Sequence, residues 1–181
     1  MNLFRIREGE KEGFINAEGE IVITPSFAYV FAFSEGLSQV QLRDPKELSI
    51  KEEGRNSAFI NTEGEVVIPP GPPRESSPRS DDYAWSFHEF SEGLAQFWVN
   101  DATGFGGFMD TEGVCVIPSR FKSAGDFSEG LASASLEDVD ADNAFEIGPP
   151  GFIDSSGDFV IGPNSRLRLT NSFSEGYCVV D

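Results

Sequence analysis

Four glutamates stand in one repeated context, Phe33-Ser-Glu-Gly-Leu37, Phe90-Ser-Glu-Gly-Leu94, Phe127-Ser-Glu-Gly-Leu131 and Phe173-Ser-Glu-Gly-Tyr177. Paired carboxylates about 5–10 Å apart can do acid–base work on sugars, so Glu35, Glu92, Glu129 and Glu175 are the first residues to weigh. Their repetition assigns them elsewhere: a residue used identically in every unit serves the unit, and Ser-Glu-Gly is turn chemistry. The run Asp138-Val-Asp140-Ala-Asp142-Asn143 offers alternate carboxylates that could converge on a hard cation, as in a calcium loop. Asn143 stands where that loop wants Gly, and no later Glu supplies the bidentate ligand at 147–149. A solvated acidic loop is the expectation, with calcium binding as its alternative. His88 is the only histidine, and no nucleophile-elbow motif surrounds it or either cysteine. No catalytic residue, cofactor or metal site is therefore predicted. Cys115 and Cys178 are too few and too far apart for a disulfide framework and read as two buried thiols.

One aromatic stands out by position. In strands that follow the Ser-Glu-Gly turns, Trp98 aligns with Gln41, Ser135 and Asp181, a polar alternate face, while its neighbours Phe97 and Val99 align with apolar residues. A Trp on such a face is a candidate interface anchor. Trp85 and Tyr83, from the same unit, join it as candidate binding residues, with Asp138, Asp140 and Asp142 of the acidic run.

The elements that must position these residues come from a repeat. One phrase is written four times, starting at Gly13, Ala58, Gly107 and Gly151, so that successive starts lie 45, 49 and 44 residues apart. Each opens on an apolar pair, turns at Asn16-Ala-Glu-Gly19, Asn61-Thr-Glu-Gly64, Asp110-Thr-Glu-Gly113 or Asp154-Ser-Ser-Gly157, and returns through a β-branched run. An Asx side chain accepting a backbone N–H two residues on, followed by Gly at positive φ, makes this a β-hairpin. Pro or Gly then ends the returning strand. The Phe-Ser-Glu-Gly phrase turns the chain into a third strand, and Phe4-Arg-Ile-Arg7 is one more strand of that type ahead of the first hairpin. Three strands per unit is the economical count, with no convincing helical periodicity beyond one short turn over 44–53.

The two phrases in this order resemble the bacterial WG-repeat proteins, whose unit runs Trp-Gly-Phe/Tyr-Ile-Asp, a Gly turn, an apolar strand ending Ile-Pro, and later Phe-Ser-Glu-Gly-Leu-Ala. The resemblance covers about Gly13 to Val180. The Trp of the name is absent, its place held by Glu12, Ser57, Gly106 and Pro150, and Ala58 replaces the following Gly. The resemblance implies an all-β repeat protein with a binding role and no catalytic residues to carry over. The expected fold is all-β: one domain over 1–181, in units of about 13–57, 58–106, 107–150 and 151–181, with 1–12 adding a strand. Its apolar spine is Phe14, Phe33, Phe59, Phe90, Phe108, Phe127, Phe152 and Phe173. Such units stack openly between capped ends or close like a propeller or barrel.

Composition narrows the partners. The 181 residues carry 13 Lys+Arg against 31 Asp+Glu, a net charge of −18, which argues against nucleic acid and anionic membranes. The excess is uneven: −4 over residues 1–79 and −14 over residues 80–181. An acidic half attracts a cationic partner. The expected function is a non-catalytic module binding a neutral or basic protein, with an inhibitor of a basic effector or toxin as the narrower version. A ligand-binding or calcium-binding repeat protein is the alternative. Without a signal-peptide h-region or an apolar run of spanning length, a cytoplasmic location is expected. Trp98→Ala is expected to leave folding nearly intact and weaken partner binding by more than about 1 kcal/mol. A fall in thermal stability instead would place Trp98 in the core.

Overall fold

The computed structural model describes residues 2–44, 46, 48, 56–74, 84–100, 104–138, 147–164 and 174–176. Among them are fifteen strands: β1 (Phe4–Glu8), β2 (Lys11–Ile15), β3 (Ile21–Phe27), β4 (Tyr29–Val30), β5 (Ser38–Gln41), β6 (Ser57–Ile60), β7 (Val66–Ile68), β8 (Ala84–Phe87), β9 (Leu94–Asn100), β10 (Gly106–Asp110), β11 (Cys115–Phe121), β12 (Ser123–Ala124), β13 (Ala132–Glu137), β14 (Ile147–Ile153) and β15 (Phe159–Ile161). They form four antiparallel sheets in chain order, β1-β2-β3, β4-β5-β6-β7, β8-β9-β10-β11 and β12-β13-β14-β15. The protein is all-β, and its four successive sheets form no closed barrel among the described residues, which is consistent with an open repeat array.

Each sheet joins the third strand of one phrase to the hairpin of the next, so β1 pairs with β2 as expected of Phe4-Arg-Ile-Arg7. The count of three strands per unit is corrected to four. A short strand (β4, β8 or β12) precedes each of three Ser-Glu-Gly turns and pairs back on the strand that follows it. The turn is therefore itself a hairpin. Ser34 and Leu37 exchange both backbone hydrogen bonds at 2.9 Å, while Glu35 and Gly36 both have positive φ, 52° and 82°. Two consecutive left-handed residues are what a type I′ turn requires.

The strand ends also depart from expectation. β3 runs on through Pro25 and β11 through Pro118. Both are edge strands, where a missing N–H leaves no ladder bond unmade. Each bulges over the glycine that opens its hairpin phrase. A Cβ on Gly13 would lie 2.3 Å from the Ile23 carbonyl oxygen, and one on Gly107 would lie 2.4 Å from that of Ile117. β7, in the unit that opens on Ala58, stops at Ile68, and β15, in the unit that opens on Gly151, stops at Ile161. The hairpin tips are Asx turns: Asn16 Oδ1 accepts from the N–H groups of Glu18 and Glu20, and Asp110 Oδ1 from those of Glu112 and Val114. At Asp154 the Ser156 hydroxyl and the backbone N–H groups of 156–158 hold the carboxyl below the usual carboxylate range. That bonding stabilises the fold above the unfolded carboxyl's pKa and is lost as pH falls through the lowered one.

Three contacts repeat between successive sheets. The first is aromatic: Phe14 meets Phe33 with centroids 4.7 Å apart, Phe59 meets Phe90 at 5.2 Å, and Phe108 meets Phe127 at 4.9 Å. Phe152 is buried too, and Phe173 lies outside the described residues. Three apolar clusters follow, one in each interval between sheets. The second contact joins hairpin tips. Ile23, Ile68 and Ile117 press on the tip glycines of the next hairpin, where a Cβ on Gly64, Gly113 or Gly157 would lie 3.2, 2.8 and 2.8 Å away. Ile161, with no such tip beside it among the described residues, is 41% exposed.

The third contact links the turns. Gly93 N–H donates to the Glu35 carboxylate at 2.8 Å. Glu129 and Gly130 N–H both donate to that of Glu92, at 2.6 and 2.8 Å, and Gly176 N–H donates to that of Glu129 at 2.7 Å. The serine hydroxyls run parallel, Ser34 to the Phe90 carbonyl and Ser91 to the Phe127 carbonyl. The expected structural role of these glutamates therefore extends beyond each turn to the next one. Glu92→Ala keeps a Cβ in the left-handed turn and removes two charge-assisted acceptors, each contributing about 1 kcal/mol at an exposed site. Its Tm is expected to fall by about 4–8 °C, with Glu175→Ala, whose carboxylate has no partner among the described residues, as the unshifted control. Equal Tm values for both variants would show that the turns stack without their carboxylates.

Candidate functional site

The inner strands are covered on both faces, which changes the setting of the aromatic candidates. Leu37, just ahead of β5, and Gln39 within it look toward the third sheet, while Val40 packs toward the first. The polar alternate face of these strands is thus an inter-sheet face: Gln39 is 9% exposed, Gln96 2% and Ser135 4%. Trp98 lies half-buried at the margin of this face, against Gly106 of the neighbouring strand, where a Cβ would come within 2.8 Å of the indole ring. The missing Trp of the motif stood just at position 106, and a Trp from the adjacent strand covers its backbone instead.

Trp85 is corrected from a binding residue to a core residue. It sits in the cluster between the second and third sheets, its ring centroid 5.6 Å from that of Phe97. The alternation of β8 turns it inward, an orientation hidden in the sequence because that strand was not expected. Tyr83, Asp140 and Asp142 lie outside the described residues, as does Cys178. Asp138 is half-buried just past β13. Among the described residues no group of three or more His, Cys, Asp or Glu is placed to hold a metal ion. No helix among them is long and apolar enough to cross a membrane.

What the array does assemble is a hydrogen-bonded chain leading from Trp98 to the surface. Trp98 Nε1 donates to Gln96 Oε1 at 3.3 Å, and Gln96 Nε2 donates to Asp126 Oδ1 at 2.6 Å. His88 Nδ1 stands 3.8 Å from the same Asp126 oxygen, both side chains being about half exposed, at 51% and 53%. A groove of about 340 Å³ opens here, lined by Phe31, Gln39, Phe87, His88, Glu89 and Asp126. It draws on three sheets at once: Phe31 and Gln39 from the second, the residues at the end of β8 from the third, and Asp126 from the fourth.

Sequence reasoning weighed His88 alone and gave Phe31, Phe87, Glu89 and Asp126 no role. Their signal was available in the repeat. Phe31 and His88 occupy the same repeat position, two residues ahead of Phe33 and Phe90, where β4 and β8 deliver them to one edge.

A second groove, of about 300 Å³, lies between the first and second sheets and has the opposite character. Arg7, Lys11, Arg43 and Lys46 line it together with Tyr29, Glu10 and Asp44.

The model of the WG containing repeat family matches residues 13–44, 58–71 and 107–138. No curated protein and no solved structure matches the chain. Each matched stretch starts at a hairpin, and the first and third run on through a Ser-Glu-Gly turn into the strand beyond it, the same two phrases whose side chains tie the sheets together. These matches support the assignment of the chain to the WG-repeat family.

Proposed function

We propose that the protein is a non-catalytic binding module that takes a basic side chain of a protein partner into the groove at Phe31, Phe87, Glu89 and Asp126. The observation that carries this reading is the pairing of two phenyl rings with two carboxylates in one groove. A lysine or arginine entering such a site meets ring faces and opposite charges together, and a cation over an aromatic ring gains about 0.5–2 kcal/mol depending on its desolvation. Gln96 holds Asp126 from behind, so the carboxylate is fixed before a ligand arrives. The net charge of −18 adds long-range attraction, which acts mainly on the association rate and weakens with salt.

An inhibitor that neutralises a basic effector or toxin is the narrower form of the same reading, since it needs the same cation-accepting surface. The groove offers a histidine and carboxylates yet no nucleophilic Ser or Cys in its lining, which favours binding over covalent catalysis.

The test is a peptide series differing only in a central Lys, Arg, Leu or Glu, titrated against the full chain at low and high salt. Lys and Arg peptides are expected to bind, more weakly at high salt, and at least tenfold more weakly to the Phe31→Ser/Glu89→Lys double variant. Both substituted residues are exposed, so the fold should tolerate the change. Indifference to the central residue, or affinity unchanged in the double variant, would overturn the groove as the recognition site.

A further inference from the structure

We infer that the two ends of the array bind each other in trans, so that a second copy of this chain stacks head-to-tail on the first. Of the contacts that repeat between successive sheets, two are left as complementary halves at opposite ends. The isoleucine of each return strand sits on the tip glycine of the next hairpin. Ile23, Ile68 and Ile117 are accordingly 6%, 6% and 1% exposed, and a Cβ on Gly64, Gly113 or Gly157 would lie within 3.2 Å of them. Ile161 is the fourth of this series and is 41% exposed. Gly19, the tip of the first hairpin, is exposed as well, and a Cβ there would meet nothing within 4 Å.

The turns are left in the same way. Gly93, Gly130 and Gly176 each donate an N–H to the glutamate of the turn before. Glu35 and Gly36 are exposed, and their N–H groups have no acceptor among the described residues. The exposed carboxylate of Glu175 has no donor among them.

These halves are in register. An isoleucine meets the tip one sheet ahead, and a glutamate meets the turn one sheet ahead. Seating the Gly19 tip of one copy on Ile161 of another therefore places the turn at Glu35 one step beyond the turn at Glu175. The first sheet has three strands where the others have four, because it lacks the short strand and the Ser-Glu-Gly turn. A turn is what residues 174–176 hold beyond the fourth sheet, tied to Glu129. One copy thus brings the turn and the other the hairpin. The seam falls beside β1, whose five residues are all exposed or half-buried, so adjustment there displaces little buried surface.

Such an interface continues the contact found inside the chain. It is heterologous, and it leads to a filament or a closed ring instead of a two-fold dimer. Copies of net charge −18 repel at long range and salt screens that repulsion, so association strengthens with salt. The acidic groove has the opposite salt dependence and lies among the second, third and fourth sheets of one chain. Either proposal can fail without the other.

The test is sedimentation of the full chain from about 5 to about 500 μM, at about 0.15 and about 0.5 M salt. The weight-average mass is expected to rise from 19.7 kDa to at least twice that value, and further at the higher salt. Ile161→Lys blocks one end and Gly19→Asn the other. Both positions are exposed, and Asn tolerates the left-handed backbone of Gly19, where φ is 84°. Each variant alone, with a circular dichroism spectrum matching wild type, is expected to stay monomeric. Their one-to-one mixture should give a dimer and nothing larger, since Ile161 of the Gly19→Asn chain still meets Gly19 of the Ile161→Lys chain. A wild type that stays monomeric throughout would overturn the inference. So would self-association of either variant equal to that of wild type, or a mixture no heavier than its components.

Discussion

The stacking of this array depends on a carboxylate in a place where a glutamate backbone is uncomfortable. Glu35, Glu92, Glu129 and Glu175 all have φ between 52° and 54°, a left-handed conformation that costs a non-glycine residue roughly 1–2 kcal/mol. Glycine would occupy it without strain, and glycine does follow in every case. Retaining glutamate gains something the backbone alone does not have: a side chain long enough to reach the exposed amides of the next turn. The type I′ geometry leaves those central N–H groups outside the turn's own hydrogen bonds, so they are available as donors to the carboxylate arriving from the preceding unit. Local strain and inter-unit bonding are two sides of one arrangement.

From that link the remaining order follows. Once consecutive turns are held in line, the phenylalanine before each turn falls against the hairpin phenylalanine of the previous sheet. The isoleucine ending each return strand then meets the next hairpin tip, where only glycine leaves room for it. Inner sheets pinned at a turn, a central aromatic pair and a hairpin tip are covered on both faces. Polar residues such as Gln39 and Gln96 then become buried, hydrogen-bonded elements of the inter-sheet space. The stability of such an array is a sum of nearest-neighbour terms, and each repeated side chain contributes to one interval only.

Much of this was legible in the sequence. The Asx-Gly turn and the β-branched run identify the hairpins, and repetition alone assigns the glutamates to structure. The strand before each Ser-Glu-Gly turn was not legible, because β4 and β12 are two residues long and a Glu-Gly hairpin turn lacks the usual Asn-Gly or Asp-Gly signal. That omission propagated. Without β8 there was no alternation to turn Trp85 inward, and without face-to-face stacking the polar side of β9 read as solvent-facing, which overstated the exposure of Trp98. Continuation through Pro25 and Pro118 was hidden for a related reason: Pro ends a central strand, and nothing local in the sequence tells an edge strand from a central one.

The site residues were the least legible, since both grooves form between units that the repeat makes equivalent. A repeat fixes what its units share, whereas a binding surface arises where they differ. Phe31 is answered by His88, Gln39 by Gln96, and Tyr29 has basic neighbours that no later unit copies. Net charge misleads in the same way. A total of −18 describes the field at long range, but screening confines a charge's influence to about 8 Å at physiological ionic strength. Within that radius the lining of the groove at Arg7 and Lys11 is positive, and that of the groove at Phe31 and Asp126 is acidic and aromatic. What a ligand meets is decided at the scale of one inter-sheet interval, the same scale at which the array is held together.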